Sequence, residues 1–132
     1  MNSESSLKID LDLIQKAKDF LLQEYTQDVH HVAVALSTRG GVYKSLHMDS
    51  SGFDICAEPI AIHNALQAGE KDFLQIVAVT LLENKEFKII SPCGNCRQIL
   101  LEYIPEVHVI IDDDGKLKLS KPSDLLPSPY NN

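Results

Sequence analysis

The segment from Phe73 to Leu82 constrains the fold more than any other part of this 132-residue chain, because it is an almost continuous apolar run. A run of this length and composition is typical of a strand that is buried on both faces. Such a strand needs other strands at its edges and helices over its faces. Helical and strand-like patterns alternate around it, which predicts an α/β fold: a three-layer α/β/α sandwich with one mixed sheet of about five strands.

The other elements follow from hydrophobic periodicity and turn residues. The predicted helices are Leu11–Tyr25, Cys56–Ala68 and Cys93–Tyr103, and the predicted strands are Val29–Leu36, Val42–Leu46, Phe73–Leu82, Val107–Ile111 and Lys116–Leu119. With 132 residues, of which 44% are hydrophobic, we expect one compact domain over residues 1–132.

The charge of the chain narrows the classes of partner. Its formal net charge of −7 disfavours binding of long nucleic acid, which relies on lysine and arginine, and favours a small-molecule substrate. The sequence has neither the roughly 18–20 apolar residues of a membrane span nor the basic-then-apolar start of a signal peptide. We therefore expect no membrane partner and a cytoplasmic location.

The three cysteines fall in two short segments, Cys56-Ala57-Glu58 and Pro92-Cys93-Gly94-Asn95-Cys96. Both segments lie at predicted helix starts, where the helix dipole lowers thiol pKa and favours the thiolate that binds metal. Three thiolates predict one Zn²⁺ per chain with an open fourth position for water, whereas structural zinc sites usually have four protein ligands. Because zinc lowers the pKa of such a water, hydrolysis is the expected reaction.

The residues after Cys96 bear on the charge of this site. Three thiolates and one Zn²⁺ carry a net charge of −1, which weakens the Lewis acid unless positive charge lies nearby. Arg97 and Gln98 follow directly, and we expect them to hydrogen-bond the thiolate sulfurs.

Glu58 is the predicted catalytic acid–base group. Inside a regular helix, an offset of two residues would turn Glu58 about 200° away from Cys56, so we expect the helix to begin near Pro59. Pro92 is expected to mark the other helix start in the same way, because proline is favoured in the first helical turn. Glu58 can then lie beside the zinc water and shuttle its protons.

These segments resemble the cytidine deaminase superfamily, whose signature is a Cys or His, Ala and Glu, followed by Pro-Cys-x-x-Cys. The resemblance continues through Arg97-Gln98 and Leu125-Leu126-Pro127 and spans nearly the whole chain. A cysteine as first ligand and the short length resemble the small homotetrameric branch. The resemblance therefore implies a homo-oligomer that deaminates cytidine or deoxycytidine.

The substrate positions of the family are altered. Family members that act on free nucleosides carry a Phe in the first strand and an Asn-x-Glu pair after the second, and these positions fall here on His30 and on His47-Met48-Asp49. The resemblance implies that these residues, with Ala57, contact the substrate. The short segment before Cys56 resembles blasticidin S deaminase, so a cytosine-containing nucleoside antibiotic is the alternative substrate.

Two other interpretations remain open at this point. Cys93-x-x-Cys96 at a helix start also resembles a thioredoxin-type redox site, although that leaves Cys56 and Glu58 unexplained. A structural zinc domain would need a fourth ligand such as His47 or His63. His31 and His108 fall in apolar strands, which favours core or edge positions for both.

Overall fold

The computed structural model describes residues 7–24, 31–50, 53–126 and 128. The helices are α1 (Leu11–Glu24), α2 (Ala57–Gln67), α3 (Gly94–Tyr103) and α4 (Pro122–Leu125). The strands are β1 (Val32–Thr38), β2 (Gly41–Leu46), β3 (Met48–Ser50), β4 (Phe53–Ile55), β5 (Phe73–Leu81), β6 (Phe87–Ile90), β7 (His108–Asp113) and β8 (Lys116–Ser120).

Strand β5 lies at the centre of a six-stranded mixed sheet. Five of the strands follow the order β2-β1-β5-β7-β8, and the sixth, β6, pairs with β5. One edge of β5 pairs with β1 along its whole length, in an antiparallel arrangement. Its other edge is shared, because β7 pairs in parallel with Gln75 and Ile76 while β6 pairs antiparallel with the stretch from Ala78 to Leu81. This sharing separates β6 from β7 at the point where the chain leaves β6 for α3.

Both faces of the sheet are covered, which confirms the predicted three-layer α/β/α arrangement. On one face, the helix α1 packs Leu13, Ala17 and Leu21 against alternate residues of β1, β5 and β7. On the opposite face, α2 and α3 pack against the intervening residues, including Leu36 and Ile76. Alternation along a strand sends successive side chains to opposite faces, so the apolar run in β5 supplies both halves of the core.

The structure contains four short elements that the sequence analysis did not predict: β3, β4, β6 and α4. Strands β3 and β4 have three residues each and pair with one another. The turn before β6 uses Lys85 at φ 72° and the Asn84 carboxamide, which accepts a hydrogen bond from the Glu86 N–H, so it lacks the usual glycine signal. Elements of three or four residues are too short to give a clear periodicity.

A buried polar contact ties the segment before α1 to the sheet. The side chain of Gln75, on β5, donates a hydrogen bond to the Lys8 carbonyl at 2.7 Å and accepts one from the Asp10 N–H at 2.9 Å. These bonds satisfy a buried carboxamide and fix where α1 begins on the sheet. In the described part of the chain, no helix combines the length and the apolar character needed to cross a bilayer.

Candidate metal centre

Two helix N-termini meet at the three cysteines. Cys56 is the N-cap of α2, and Cys93 is the N-cap of α3, where its sulfur accepts a hydrogen bond from the Cys96 N–H. Because α2 and α3 pack on the same face of the sheet, their first turns converge beyond the end of β6. The two cysteine segments, which are 37 residues apart in sequence, therefore form one cluster.

The predicted start of α2 near Pro59 is wrong, because the helix begins at Ala57. Cys56 has an extended backbone (φ −65°, ψ 151°), so it precedes the helix, and the 200° separation expected inside a helix does not apply to it. Pro92 also differs from its predicted place, since it precedes the N-cap of α3 and lies outside the first helical turn. Pro59 is tolerated within the first turn of α2 because its missing N–H would have no helical acceptor there.

The three sulfurs are positioned to hold one zinc ion. The Sγ atoms of Cys56 and Cys93 are 3.6 Å apart, those of Cys93 and Cys96 are 3.3 Å apart, and all three lie within 4.8 Å of one another. Tetrahedral zinc with Zn–S bonds of about 2.3 Å places its sulfurs roughly 3.7 Å apart, so the cluster fits this ion with small adjustments. Among the described residues, neither His47 nor His63 joins the group, which leaves three protein ligands.

The three thiols differ in how readily they ionise. Desolvation opposes ionisation of Cys93, but hydrogen bonds from the Cys96 N–H and from the thiols of Cys96 and Cys56 outweigh it and lower the pKa of Cys93. Burial raises the pKa of Cys56 and, together with the charge of Glu58, raises that of Cys96 strongly. The lowered thiol pKa expected at both cysteine segments is therefore found only for Cys93, whereas the pKa values of Cys56 and Cys96 are raised. Binding of zinc must displace protons from the other two thiols.

Glu58, the second residue of α2, points into the protein beside this cluster. Its side chain is almost completely buried, with 6% exposed. Burial raises the pKa of Glu58, although its own N–H, the Cys96 thiol and the neighbouring His47 imidazole favour the carboxylate. A carboxyl group whose pKa is raised toward neutrality is suited to both accepting and donating a proton.

A cavity of about 110 Å³ opens beside the sulfurs and Glu58. Its lining residues come from five parts of the fold: Val32, His47, Cys56, Ala57, Glu58, Ile90, Ser91 and Cys93. The Ala57 carbonyl accepts a hydrogen bond of 2.5 Å from the buried Ser45 hydroxyl, so β2 fixes the start of α2 at the cavity wall. Sequence analysis did not identify Ser45, although it occupies an inward-facing position of a strand.

The predicted substrate-binding residues have different outcomes. His47 and Ala57 line the cavity. The backbone of Asp49 pairs with Asp54 in the β3–β4 ribbon, whereas its side chain falls outside the described part of the chain. His30 also lies outside the described residues.

His31 was not predicted near the site. It is exposed and lies just before β1, outside the core, and its ring centroid is 5.9 Å from that of His47. The Thr80 hydroxyl donates a hydrogen bond of 2.7 Å to the His31 carbonyl. The backbone N–H of His47 donates one of 2.9 Å to the Val32 carbonyl. His108, by contrast, is the half-buried first residue of β7, far along β5 from the cysteines.

Arg97 and Gln98 lie on the first turns of α3. The Arg97 guanidinium donates hydrogen bonds to the carbonyl oxygens of Pro92 and Leu125, at 2.8 and 2.9 Å. These two bonds go to oxygen atoms, and the expected bonds to thiolate sulfur stay a prediction. Gln98 lies on the outer side of the cluster, where it lines a second, open cavity of about 300 Å³ with Cys56 and Cys96.

The fold and the three-thiolate site with an adjacent carboxyl group define the class of a zinc-dependent hydrolytic deaminase. The family model for the "Cytidine and deoxycytidylate deaminase zinc-binding region" matches residues 7–111. The chain belongs to this family, which confirms the resemblance drawn from the cysteine segments.

Individual relatives agree with this assignment. The chain is 34% identical over 128 residues to the blasticidin-S deaminase of Bacillus cereus, which covers 92% of this chain and 91% of that protein. It is 29% identical over 134 residues to a probable cytidine deaminase of Dictyostelium discoideum, covering 99% and 87%. The crystal structure of the cytidine deaminase from Bacillus anthracis superposes with a TM-score of 0.77 at 25% identity and covers 93% of this chain and 90% of that one.

The ligand set can be tested by X-ray absorption of the purified zinc protein. We expect one zinc per chain with three sulfur neighbours and one light atom, because the described cluster offers three thiols and no imidazole. His63→Ala, on the exposed face of α2, should leave the zinc content and spectrum unchanged. A spectrum with four protein ligands, or full activity in metal-free protein with a Cys93–Cys96 disulfide, would contradict this site.

Proposed function

We propose that this chain hydrolyses the amino group of a cytosine nucleoside, cytidine or deoxycytidine, to give the uracil nucleoside and ammonia. The observation that carries the proposal is the buried Glu58 carboxyl group beside three convergent cysteine sulfurs, with Glu58, Cys56 and Cys93 lining one cavity. Membership of the deaminase family supports the reaction type.

The chemistry is divided between the metal and Glu58. Zinc, which the three cysteines would hold, would supply a Lewis acid that makes water nucleophilic near neutral pH. Glu58 would accept a proton from the water that adds to the amino-bearing ring carbon and deliver it to the ring nitrogen. Glu58 then carries the second proton to the departing amine, so one water is consumed and one ammonia is released. The burial of Glu58 keeps bulk solvent away from these transfers.

Charge near the ligands supports the same proposal. Three thiolates and zinc carry a net charge of −1, and Arg97 places a cation one residue beyond Cys96. Its guanidinium is held at the Pro92 carbonyl, next to Cys93. We assign to Arg97 and Gln98 the role of offsetting the thiolate charge, so that the metal stays electrophilic.

Recognition of the sugar is assigned to residues at the open side of the cavity. His47 lines the cavity and can donate or accept a hydrogen bond. Ala57 forms part of the cavity wall, where we place the cytosine ring of the substrate. Asp49 follows His47 by two residues, and the family resemblance puts His30 near the base. These four residues form the proposed substrate-binding set.

A second substrate class is a cytosine-containing nucleoside antibiotic such as blasticidin S. The 34% identity to the blasticidin-S deaminase of Bacillus cereus across 92% of this chain favours it. The replaced Phe and Asn-x-Glu positions also distinguish this chain from free-nucleoside enzymes. The chemistry at Glu58 and the cysteines is the same for both classes.

The family resemblance also carries proposals about assembly and place in the cell. We assign the chain to a homotetramer in the cytoplasm, with no partner other than copies of itself and its small-molecule substrate. The chain's net charge of −7 is consistent with a protein that does not bind long nucleic acid.

Ammonia release from a panel of cytosine compounds tests the substrate. We expect zinc-loaded protein to deaminate cytidine and deoxycytidine with higher kcat/KM than free cytosine, because a nucleoside also engages the residues at the open side of the cavity. Preferential turnover of blasticidin S would show that the substrate is a nucleoside antibiotic and not a free nucleoside. Absence of ammonia release from every cytosine compound would contradict both.

Glu58→Gln tests the proton shuttle. We expect the variant to keep its zinc and to lose at least about 10²–10⁴-fold in kcat, because the carboxamide has the same size but cannot carry the protons. Glu102→Gln, on the exposed side of α3, is the matched control and should retain normal turnover. A zinc-loaded Glu58→Gln protein with near-normal kcat would show that another group moves the protons.

His47→Ala and Asp49→Ala test sugar recognition. Loss of a hydrogen bond to a substrate hydroxyl costs about 1–3 kcal/mol, so the ratio of kcat/KM for cytidine to that for cytosine should fall roughly 5- to 150-fold. The effect of His47→Ala on the Glu58 carboxyl group is common to both substrates and cancels in this ratio. His63→Ala should leave both values unchanged, since His63 is exposed on α2. Equal losses for cytidine and cytosine would mean that these side chains do not contact the sugar.

A further inference from the structure

Arg97 joins two parts of the chain that are distant in sequence. From the first turn of α3, its Nε donates a hydrogen bond to the Pro92 carbonyl at 2.8 Å, and its Nη1 donates one to the Leu125 carbonyl at 2.9 Å. The side chain is half-buried, which reduces competition from water for both bonds. One guanidinium therefore binds two backbone segments, at Pro92 and Leu125, that are 33 residues apart in sequence.

The first of these segments contains a metal ligand. Pro92 is buried and directly precedes Cys93, whose sulfur lies within 3.6 Å of the Cys56 sulfur. The backbone N–H of residue 97 donates to the Cys93 carbonyl at 2.9 Å, the first backbone hydrogen bond of α3 after Cys93. The turn that carries the Cys93 sulfur is thus held by the backbone of α3 on one side and by the Arg97 side chain, through Pro92, on the other.

The second segment is the end of α4. This helix has four residues, too few to be stable without tertiary contacts. It is held by the buried Pro122, by Leu125 against the core under α3, and by the bond from Arg97 to its last carbonyl. Arg97 thus makes a polar contact between the C-terminal part of the described chain and the cysteine turn.

We propose that Arg97 is a positioning residue that couples the docking of α4 to the geometry of the Cys93 turn. A planar guanidinium can donate to two separate carbonyls at once in a fixed geometry, whereas a lysine ammonium is a flexible point charge. When α4 is docked, the Leu125 carbonyl holds the guanidinium in the orientation that binds Pro92. The coupling is reciprocal by thermodynamic necessity, so zinc in the cysteine site stabilises α4 to the same extent that α4 stabilises zinc binding.

This role goes beyond the proposed deamination and requires only the metal centre, so it can be tested without substrate. It also differs from a role as a nearby positive charge. A lysine at position 97 would keep the charge but could not hold both carbonyls, so Arg97→Lys separates the two roles. Arg39→Lys is the matched control, because Arg39 is an exposed arginine that pairs with Asp72 at 3.5 Å.

The first measurement is the equilibrium affinity for zinc, from competition with a chelator of known affinity. We expect Arg97→Lys to bind zinc roughly 5- to 150-fold more weakly than the unaltered protein, the range of ordinary coupling between two sites. Arg39→Lys should bind zinc with normal affinity. If Arg97→Lys also bound zinc with normal affinity, the charge alone would account for Arg97 and the coupling would be refuted.

The second measurement is amide hydrogen exchange in the unaltered protein with and without zinc. Removal of zinc should accelerate exchange in a peptide covering residues 121–126 by a similar factor, and more than in α1, which packs on the opposite face of the sheet. In Arg97→Lys, exchange in residues 121–126 should be fast in both states. Equal acceleration of exchange in α1 and α4 would indicate general destabilisation and would overturn the proposal. An exchange rate in α4 that does not change on removal of zinc would overturn it as well. Because this comparison uses the unaltered chain, it decides the matter even if the variant folds poorly.

Discussion

The convergence of two helix N-termini on three thiols is the constraint on which the rest of this structure depends. A zinc ion accepts its ligands only within a narrow range of distance and angle, and the cysteines come from segments separated by a helix and two strands. The central strand β5 solves this problem, because α2 and α3 both pack on the side chains of one of its faces. Its shared edge, with β7 on one half and β6 on the other, lets the chain leave β6 directly above the site. The sheet is thus a rigid support for a ligand set that no single segment could provide.

Glu58 shows the energetic consequence of this arrangement. Its carboxyl group is buried near apolar strands, and burial of an ionisable group is unfavourable unless hydrogen bonds compensate for the lost hydration. Its own N–H, Cys96 and His47 compensate only in part, since the pKa remains raised. A position that is unfavourable for stability is what a proton-transfer group requires, because the same desolvation brings its pKa closer to that of the groups with which it exchanges protons.

The sequence predicted the large elements and the metal ligands, and it failed where short-range geometry decides. Strand β5 and helices α1, α2 and α3 have enough residues for their periodicity to be unambiguous, and the two cysteine segments have few alternative uses. The start of α2 was misplaced because Pro59 was taken as the first helical residue, although proline is acceptable throughout the first turn. Strand β6 was missed because its turn depends on Lys85 in a left-handed conformation, which is uncommon for a residue with a side chain. The partners of Arg97 could not be predicted, since no pattern relates Arg97 to a carbonyl 28 residues later.

The β3–β4 ribbon has a consequence for how such a chain diverges. Its two strands pair with each other and stand apart from the six-stranded sheet, and the ribbon leads directly into Cys56. A surface hairpin tolerates changes in length and composition far better than a strand within a sheet, because no ladder of the core has to shift with it. Mutation can therefore change the segment that leads into Cys56 while the six-stranded sheet under the three cysteines keeps its register. Length changes between related chains are therefore tolerated best at this ribbon, because they leave the pairing of β1, β5 and β7 intact.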